Sequence, residues 1–232
     1  MRHEITRFLA AIASDTLSLI YPPRCIVCSG PCRPEDLACE VCRCQIERPM
    51  QNEVLSSIRE YFPDTKLEEA WALWIFEKAG ALQEIHQAIK FHGQPWFGRP
   101  LGRMLGHHVR RASSVTWDVV VPTPLHRTRR YERGYNQCEP IALGIAEVLG
   151  VPSAPRLIRR PQATGRQAGL SAVARAANTA SAFAASPDSA ALRILVVDDV
   201  ITTGATLSAA ADELRRAGAQ MVGACALGFA RR

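Results

Sequence analysis

The chain has 232 residues, 47% hydrophobic and 22% charged, which is enough for one sizeable domain plus a smaller one. No apolar run approaches the roughly 18 residues of a membrane-spanning helix, so no membrane span is expected. Its net charge of +6 is unevenly placed: residues 119–187 hold nine arginines against three glutamates, and the other 163 residues balance at 19 basic and 19 acidic side chains. Such clustering points to a polyanion, either a pyrophosphate-bearing substrate or a nucleic-acid backbone, with a merely solvated basic face as the alternative.

In chain order, Ile5, Phe8, Leu9, Ile12, Leu17 and Ile20 suggest an amphipathic packing helix interrupted by Glu4 and Asp15. The absence of an uninterrupted apolar core favours this over a signal peptide and predicts a cytoplasmic protein. Tyr21-Pro22-Pro23 ends that helix. Six of the eight cysteines then fall between residues 25 and 44. Cys25-x2-Cys28 and Cys39-x2-Cys42 are two knuckles ten residues apart, a spacing that suits one tetrahedral Zn²⁺ with a structural role. Cys32 and Cys44 compete as ligands, and disulfides are the alternative chemistry. Cys138 and Cys225 are isolated and read as buried residues.

Residues 49–69, with Pro49 and Pro63, read as a linker or short helix. Trp71, Leu73, Trp74, Ile75 and Phe76 suggest the first element of the larger domain, and Ala81 to Phe91 a helix. Thr116 to Pro122 predicts a buried strand stopped by Pro122 and Pro124. Beyond it Arg127, Arg129, Arg130 and Arg133, interleaved with Tyr131 and Tyr135, can clamp phosphates or stack on bases, or form an exposed helix face.

Ile194-Leu195-Val196-Val197 reads as a parallel strand covered on both faces, and ligands of open α/β sheets bind at the carboxyl ends of such strands. Asp198 and Asp199 follow, two carboxylates able to accept vicinal ribose hydroxyls or hold Mg²⁺. Thr202, Thr203, Gly204, Ala205 and Thr206 then offer hydroxyls and backbone N–H groups at a helix start, where orphan donors and the dipole favour an anion.

The string from Asp198 to Thr206 resembles the phosphoribosyl-pyrophosphate motif of type I phosphoribosyltransferases. That resemblance implies that the two acids bind the ribose 2′ and 3′ hydroxyls at a catalytic centre, with the loop around the 5-phosphate. A wider resemblance rests on Tyr21-Pro22-Pro23, the two cysteine knuckles, Ile89-Lys90-Phe91-His92-Gly93, Pro122-x-Pro124-Leu125-His126-Arg127, Glu132-Arg133-Gly134-Tyr135-Asn136-Gln137, Gln167-x-Gly169-Leu170-Ser171 and Asn178. In this order, with the acidic motif, they make nearly the whole chain similar to the ComF family. Membership implies a zinc-binding N-terminal module, a phosphoribosyltransferase-like domain, and a part in bringing imported single-stranded DNA into the cytoplasm or in gluconate uptake. Two departures stand out. Ala172 to Ala177, with only Arg175 charged, replaces a more basic stretch, and Thr202 stands where 6-oxopurine transferases carry an Asp near the base.

The expected architecture is therefore α/β: a type I phosphoribosyltransferase-like parallel sheet flanked by helices over residues 70–232, a linker at 49–69, and an N-terminal helix with a zinc knuckle at 1–48. The expected function is a ComF-type DNA-uptake factor. It would bind phosphoribosyl pyrophosphate with Mg²⁺ (or a related phosphosugar or nucleotide), single-stranded DNA, and proteins of the uptake machinery. An active Mg²⁺-dependent transferase of unknown acceptor and a non-catalytic sensor of phosphoribosyl pyrophosphate stay open beside it.

Overall fold

A computed structural model describes residues 22–91, 95–125, 131–132, 134–160 and 183–231. The expected N-terminal helix, His92, Gly93, His126, the four arginines Arg127, Arg129, Arg130 and Arg133, and the motif residues Gln167, Gly169, Leu170, Ser171, Asn178 and Ala172 to Ala177 lie outside the described residues. The chain divides into two compact units, Met1–Gln45 and Ile46–Arg232. In the first, a turn at Cys25 closes through the Ser29 N–H on the Cys25 carbonyl (2.8 Å), and a short helix, α1 (Glu40–Gln45), starts just after Cys39 and carries Cys42 of the second knuckle.

The second unit begins upstream of the boundary expected at residue 70. Its stretch 49–69 holds a helix, α2 (Glu53–Tyr61), whose Val54, Leu55 and Ile58 are buried in the main core. Three apolar residues on one side of a nine-residue helix suffice to dock it, although so short an apolar pattern is faint between prolines.

Four strands, β1 (Glu69–Ile75), β2 (Val119–Pro122), β5 (Arg193–Ile201) and β6 (Met221–Phe229), form a wholly parallel sheet in the order β1-β6-β5-β2. A separate antiparallel pair joins β3 (Ile158–Arg159) to β4 (Ala184–Ala185). Parallel strands need long crossovers, and the apolar sequences of β2 and β5 reflect cover on both faces. Between β1 and β2 lie α3 (Ala81–Phe91) and α4 (Gly98–Ala112); α5 (Cys138–Leu149) follows β2, and α6 (Ala205–Arg216) links β5 to β6.

Helices α4 and α5 cross at unusually close range because glycines form the seam. A methyl group on Gly102 would lie 2.1 Å from the Ile141 carbonyl oxygen, and one on Gly144 2.1 Å from that of Arg99. The strand lengths matter most for function. β5 pairs with β6 as far as Ile201↔Phe229 but with β2 only as far as Pro122↔Val197. The strand does not stop at Val197, as its apolar run alone suggests; it outruns β2 by four residues that carry both aspartates.

Candidate functional site

In the N-terminal unit the ligating sulfurs of Cys25, Cys28, Cys39 and Cys42 all lie within 4.8 Å of one another. Cys28 and Cys39 sulfurs are 3.8 Å apart, and a tetrahedron of Zn–S bonds of about 2.3 Å has edges of about that length. Burial raises the Cys25 thiol, but backbone N–H groups of Cys39, Cys28 and Val27 outweigh it and bring the pKa down to about 6. Donors aimed at a sulfur favour the thiolate that metals require. Cys32 instead points its sulfur at the Asp36 carbonyl (3.3 Å), and Cys44 is exposed outside the cluster. The four clustered cysteines can hold a metal ion such as zinc, and with four thiolates the site is closed to substrate.

In the second unit Asp198 and Asp199 sit where β5 extends past β2, and both reach toward the turn that starts α5. Asp199 is buried, 8% exposed, and a single oxygen, Oδ2, receives three donors: Lys90 Nζ at 2.6 Å, Gln137 Nε2 at 2.9 Å and His86 Nε2 at 3.0 Å. Its Oδ1 accepts the Val200 N–H at 2.8 Å. Burial alone raises this carboxyl, but the His86 hydrogen bond and the Lys90 charge overcome it and hold the group well below the usual carboxylate range. Asp198 is half-buried, and its Oδ1 accepts the Asp199 N–H (2.9 Å) and faces the Cys138 sulfur (3.6 Å). Burial and the Asp199 charge push its pKa up to about 7. Burial, with both carboxylates beside it, keeps the Cys138 thiol protonated and donating.

The surrounding turn is fixed by its own bonds. Asn136 Nδ2 donates to the Thr123 carbonyl at 3.0 Å, Asn136 Oδ1 accepts the Cys138 N–H at 3.1 Å, and the Tyr135 hydroxyl donates to the Ile89 carbonyl. Thr123, just past the end of β2, keeps a buried hydroxyl without a hydrogen-bond partner among the described residues.

After Ile201 the chain turns through exposed Thr202 and half-buried Thr203 to Gly204, whose φ of +79° is left-handed. The same glycine sits against Ile58 of α2, where a Cβ would come within 2.6 Å of a side-chain carbon, so both backbone and space require glycine. Ala205 and Thr206 open α6, and the Ala205 N–H reaches Thr203 Oγ1 at 3.4 Å. The structure thus brings the acidic pair and the hydroxyl-rich helix start together. It also supplies three residues to which the sequence assigned no role: His86, Lys90 and Gln137. Lys90 and Gln137 stand inside quoted motifs, and His86 precedes Lys90 by one helical turn on α3, a local signal that two polar side chains share a flank.

A parallel sheet with a two-acid strand extension feeding a glycine-started helix defines a phosphoribosyltransferase-type domain, and the family model described as "Phosphoribosyl transferase domain" matches residues 128–231. The chain is 34% identical over 143 residues to competence protein F of Haemophilus influenzae, covering 59% of this chain and 62% of that protein. It is 30% identical over 202 residues to DNA utilization protein YhgH of Salmonella typhimurium, covering 85% of this chain and 80% of that one. Among solved structures it is similar to a glutamine phosphoribosylpyrophosphate amidotransferase from B. subtilis, at 22% identity and TM-score 0.41, over 60% of this chain and 30% of the other. The chain belongs to the ComF family.

No described helix is long and apolar enough to cross a membrane.

Proposed function

We propose that the protein is a cytoplasmic DNA-uptake factor whose β5–α6 cradle binds a phosphoribosyl ligand, either phosphoribosyl pyrophosphate with Mg²⁺ or the 5′-phosphorylated end of a single strand. The observation that carries this reading is the placement of Asp198 and Asp199 on the part of β5 that outruns β2, three to eight residues before the hydroxyls and N–H groups of Thr202, Thr203 and Thr206 at the start of α6. Carboxylates there can accept ribose hydroxyls or hold a hard cation, while the helix start favours a phosphate. The names of the relatives, a competence protein and a DNA utilization protein, support the cellular role.

In this reading the four-cysteine module binds structural Zn²⁺, and Arg127, Arg129, Arg130 and Arg133 face the pyrophosphate or the nucleic-acid backbone. A second surface supports strand binding. Trp96, Arg99, Arg103, His107 and Arg110 are all exposed at a helical spacing along α4 and the short 3-10 turn before it, and α4 contains no acid. An exposed ring beside a row of cations suits single-stranded nucleic acid, although Glu147 of α5 answers Arg99 and Arg103. The runner-up is an active transferase, in which pyrophosphate leaves C1 of the ribose and the same arginines stabilise the developing charge.

A thermal-shift and calorimetric titration of phosphoribosyl pyrophosphate with Mg²⁺ tests the cradle: the wild type is stabilised, and the double change Asp198→Asn with Asp199→Asn binds nothing. Strand binding is tested by its salt dependence. Replacing Arg127, Arg129 and Arg130 by Ala lowers the log-log slope by up to about two units. Coincident slopes for the two proteins would remove these three arginines from the DNA face and favour the transferase.

A further inference from the structure

The three donors on Asp199 leave its Oδ2 no room for a substrate hydroxyl or a metal, since a carboxylate oxygen offers about two lone-pair sites. Any ligand that uses this oxygen must therefore displace one of them. Gln137 is pinned at the start of α5 by the Asn136 bonds around it. His86 is held edge-on against the Phe76 ring, with centroids 5.5 Å apart. Lys90 differs from both. It is a compact ammonium on a flexible four-carbon stem, one residue from the end of α3, and its side chain keeps 16% of its exposure. Its charge already sits beside both carboxylates, where a divalent cation would sit.

Resting on the phosphoribosyl-ligand reading above, we infer that Lys90 is an internal counter-ion of the cradle, displaced from Asp199 by the divalent cation and transferred to the phosphates of the ligand that arrives with it. The energetics make the two events depend on each other. A metal entering alone must compete with an ammonium 2.6 Å from the carboxylate and would leave that ammonium partly buried without an anion, which is costly. A metal entering with a phosphorylated ligand supplies the replacement anion. Lys90 therefore makes the cradle poor at binding free Mg²⁺ and good at binding Mg²⁺ together with a phosphoribosyl pyrophosphate. The same ion pair keeps Asp199 ionised and in position while the site waits.

The test uses the full-length, zinc-loaded protein and two probes. Mn²⁺ alone is titrated by electron paramagnetic resonance, and phosphoribosyl pyrophosphate is titrated by calorimetry at saturating Mg²⁺. The variants are Lys90→Met, and Lys90→Gln, which keeps an N–H donor for Asp199 and guards against misfolding of the first; circular dichroism and melting curves establish that each is folded. In the folded variants Mn²⁺ alone binds at least about tenfold tighter than in wild type, because a like charge has gone from a few ångströms away. Their affinity for phosphoribosyl pyrophosphate falls. Unchanged or weaker Mn²⁺ binding in a folded variant, while the wild type still takes phosphoribosyl pyrophosphate, overturns the role of Lys90 and leaves the cradle standing. Failure of the wild type to bind phosphoribosyl pyrophosphate with Mg²⁺ overturns both.

Discussion

Adjacent aspartates on one strand are expected to have opposite effects on stability. Asp198 is held at about 7 in the fold, against about 3.9 for the unfolded chain. Its folded pKa is raised, so between these values the native state holds a proton that the unfolded chain has lost, and stability falls as the pH climbs from about 4 to about 7. Above pH 7 the cost of the ionised group is complete, at most about 4 kcal/mol, and about 2 kcal/mol once its partial exposure is allowed for. Asp198→Asn keeps the oxygen that accepts the Asp199 N–H. It should therefore stabilise the ligand-free protein by about 2 kcal/mol at pH 8, a gain that shrinks toward pH 4. Asp199→Asn should do the reverse. It leaves Lys90 and His86 facing a neutral amide in a buried site and costs about 3 kcal/mol at pH 8. Urea denaturation followed by tryptophan fluorescence measures this cleanly, because all four tryptophans, Trp71, Trp74, Trp96 and Trp117, belong to the second unit. Effects of the same sign for the two variants at pH 8, or a gain for Asp198→Asn that does not depend on pH, would refute the electrostatic reasoning.

Three further outcomes are expected. Cys39→Ser should lose the bound metal and unfold the N-terminal unit, while the tryptophan-reported transition stays in place; zinc analysis and the urea curve check both halves. Gly102→Ala should cost about 3 kcal/mol by calorimetry, because its methyl would meet a backbone carbonyl that cannot rotate aside. Asp118 accepts three hydrogen bonds from Arg193 and is held down at about 2, so its contribution is complete above about pH 4 and lost as the pH falls toward 2. Asp118→Asn should cost about 1 kcal/mol at pH 7 after screening, and nothing measurable near pH 2, in paired urea curves.

Local pattern determined a good deal of this protein. The Cys25/Cys28 and Cys39/Cys42 knuckles specify their cluster because a C-x2-C turn brings two sulfurs together within one loop. The apolar run before Asp198 specifies a covered parallel strand, and the helix expected from Ala81 to Phe91 lies at those residues because Leu82, Ile85, Ala88 and Ile89 repeat with helical spacing. Gly204 announces its turn, although only the packing of Ile58 shows that space as well as backbone demands it.

Tertiary structure decided what surrounds the acids. His86 lies 113 residues before Asp199 and Gln137 lies 62 before it, and nothing in the spacing of either names the other. The partner of a buried charge is selected by how helices pack on the sheet, and sequence periodicity records only which face of an element is apolar. For the same reason α2 is faint in the chain yet sits in the core, and the α4–α5 glycine seam is visible only once the two helices touch. The sequence by itself thus determined which residues stand side by side in the β5–α6 turn and within each cysteine knuckle, since these are neighbours along the chain. Whether each carboxylate is ionised, and which cation holds it, was decided by contacts between residues far apart, because the energy of a buried charge depends on everything folded around it.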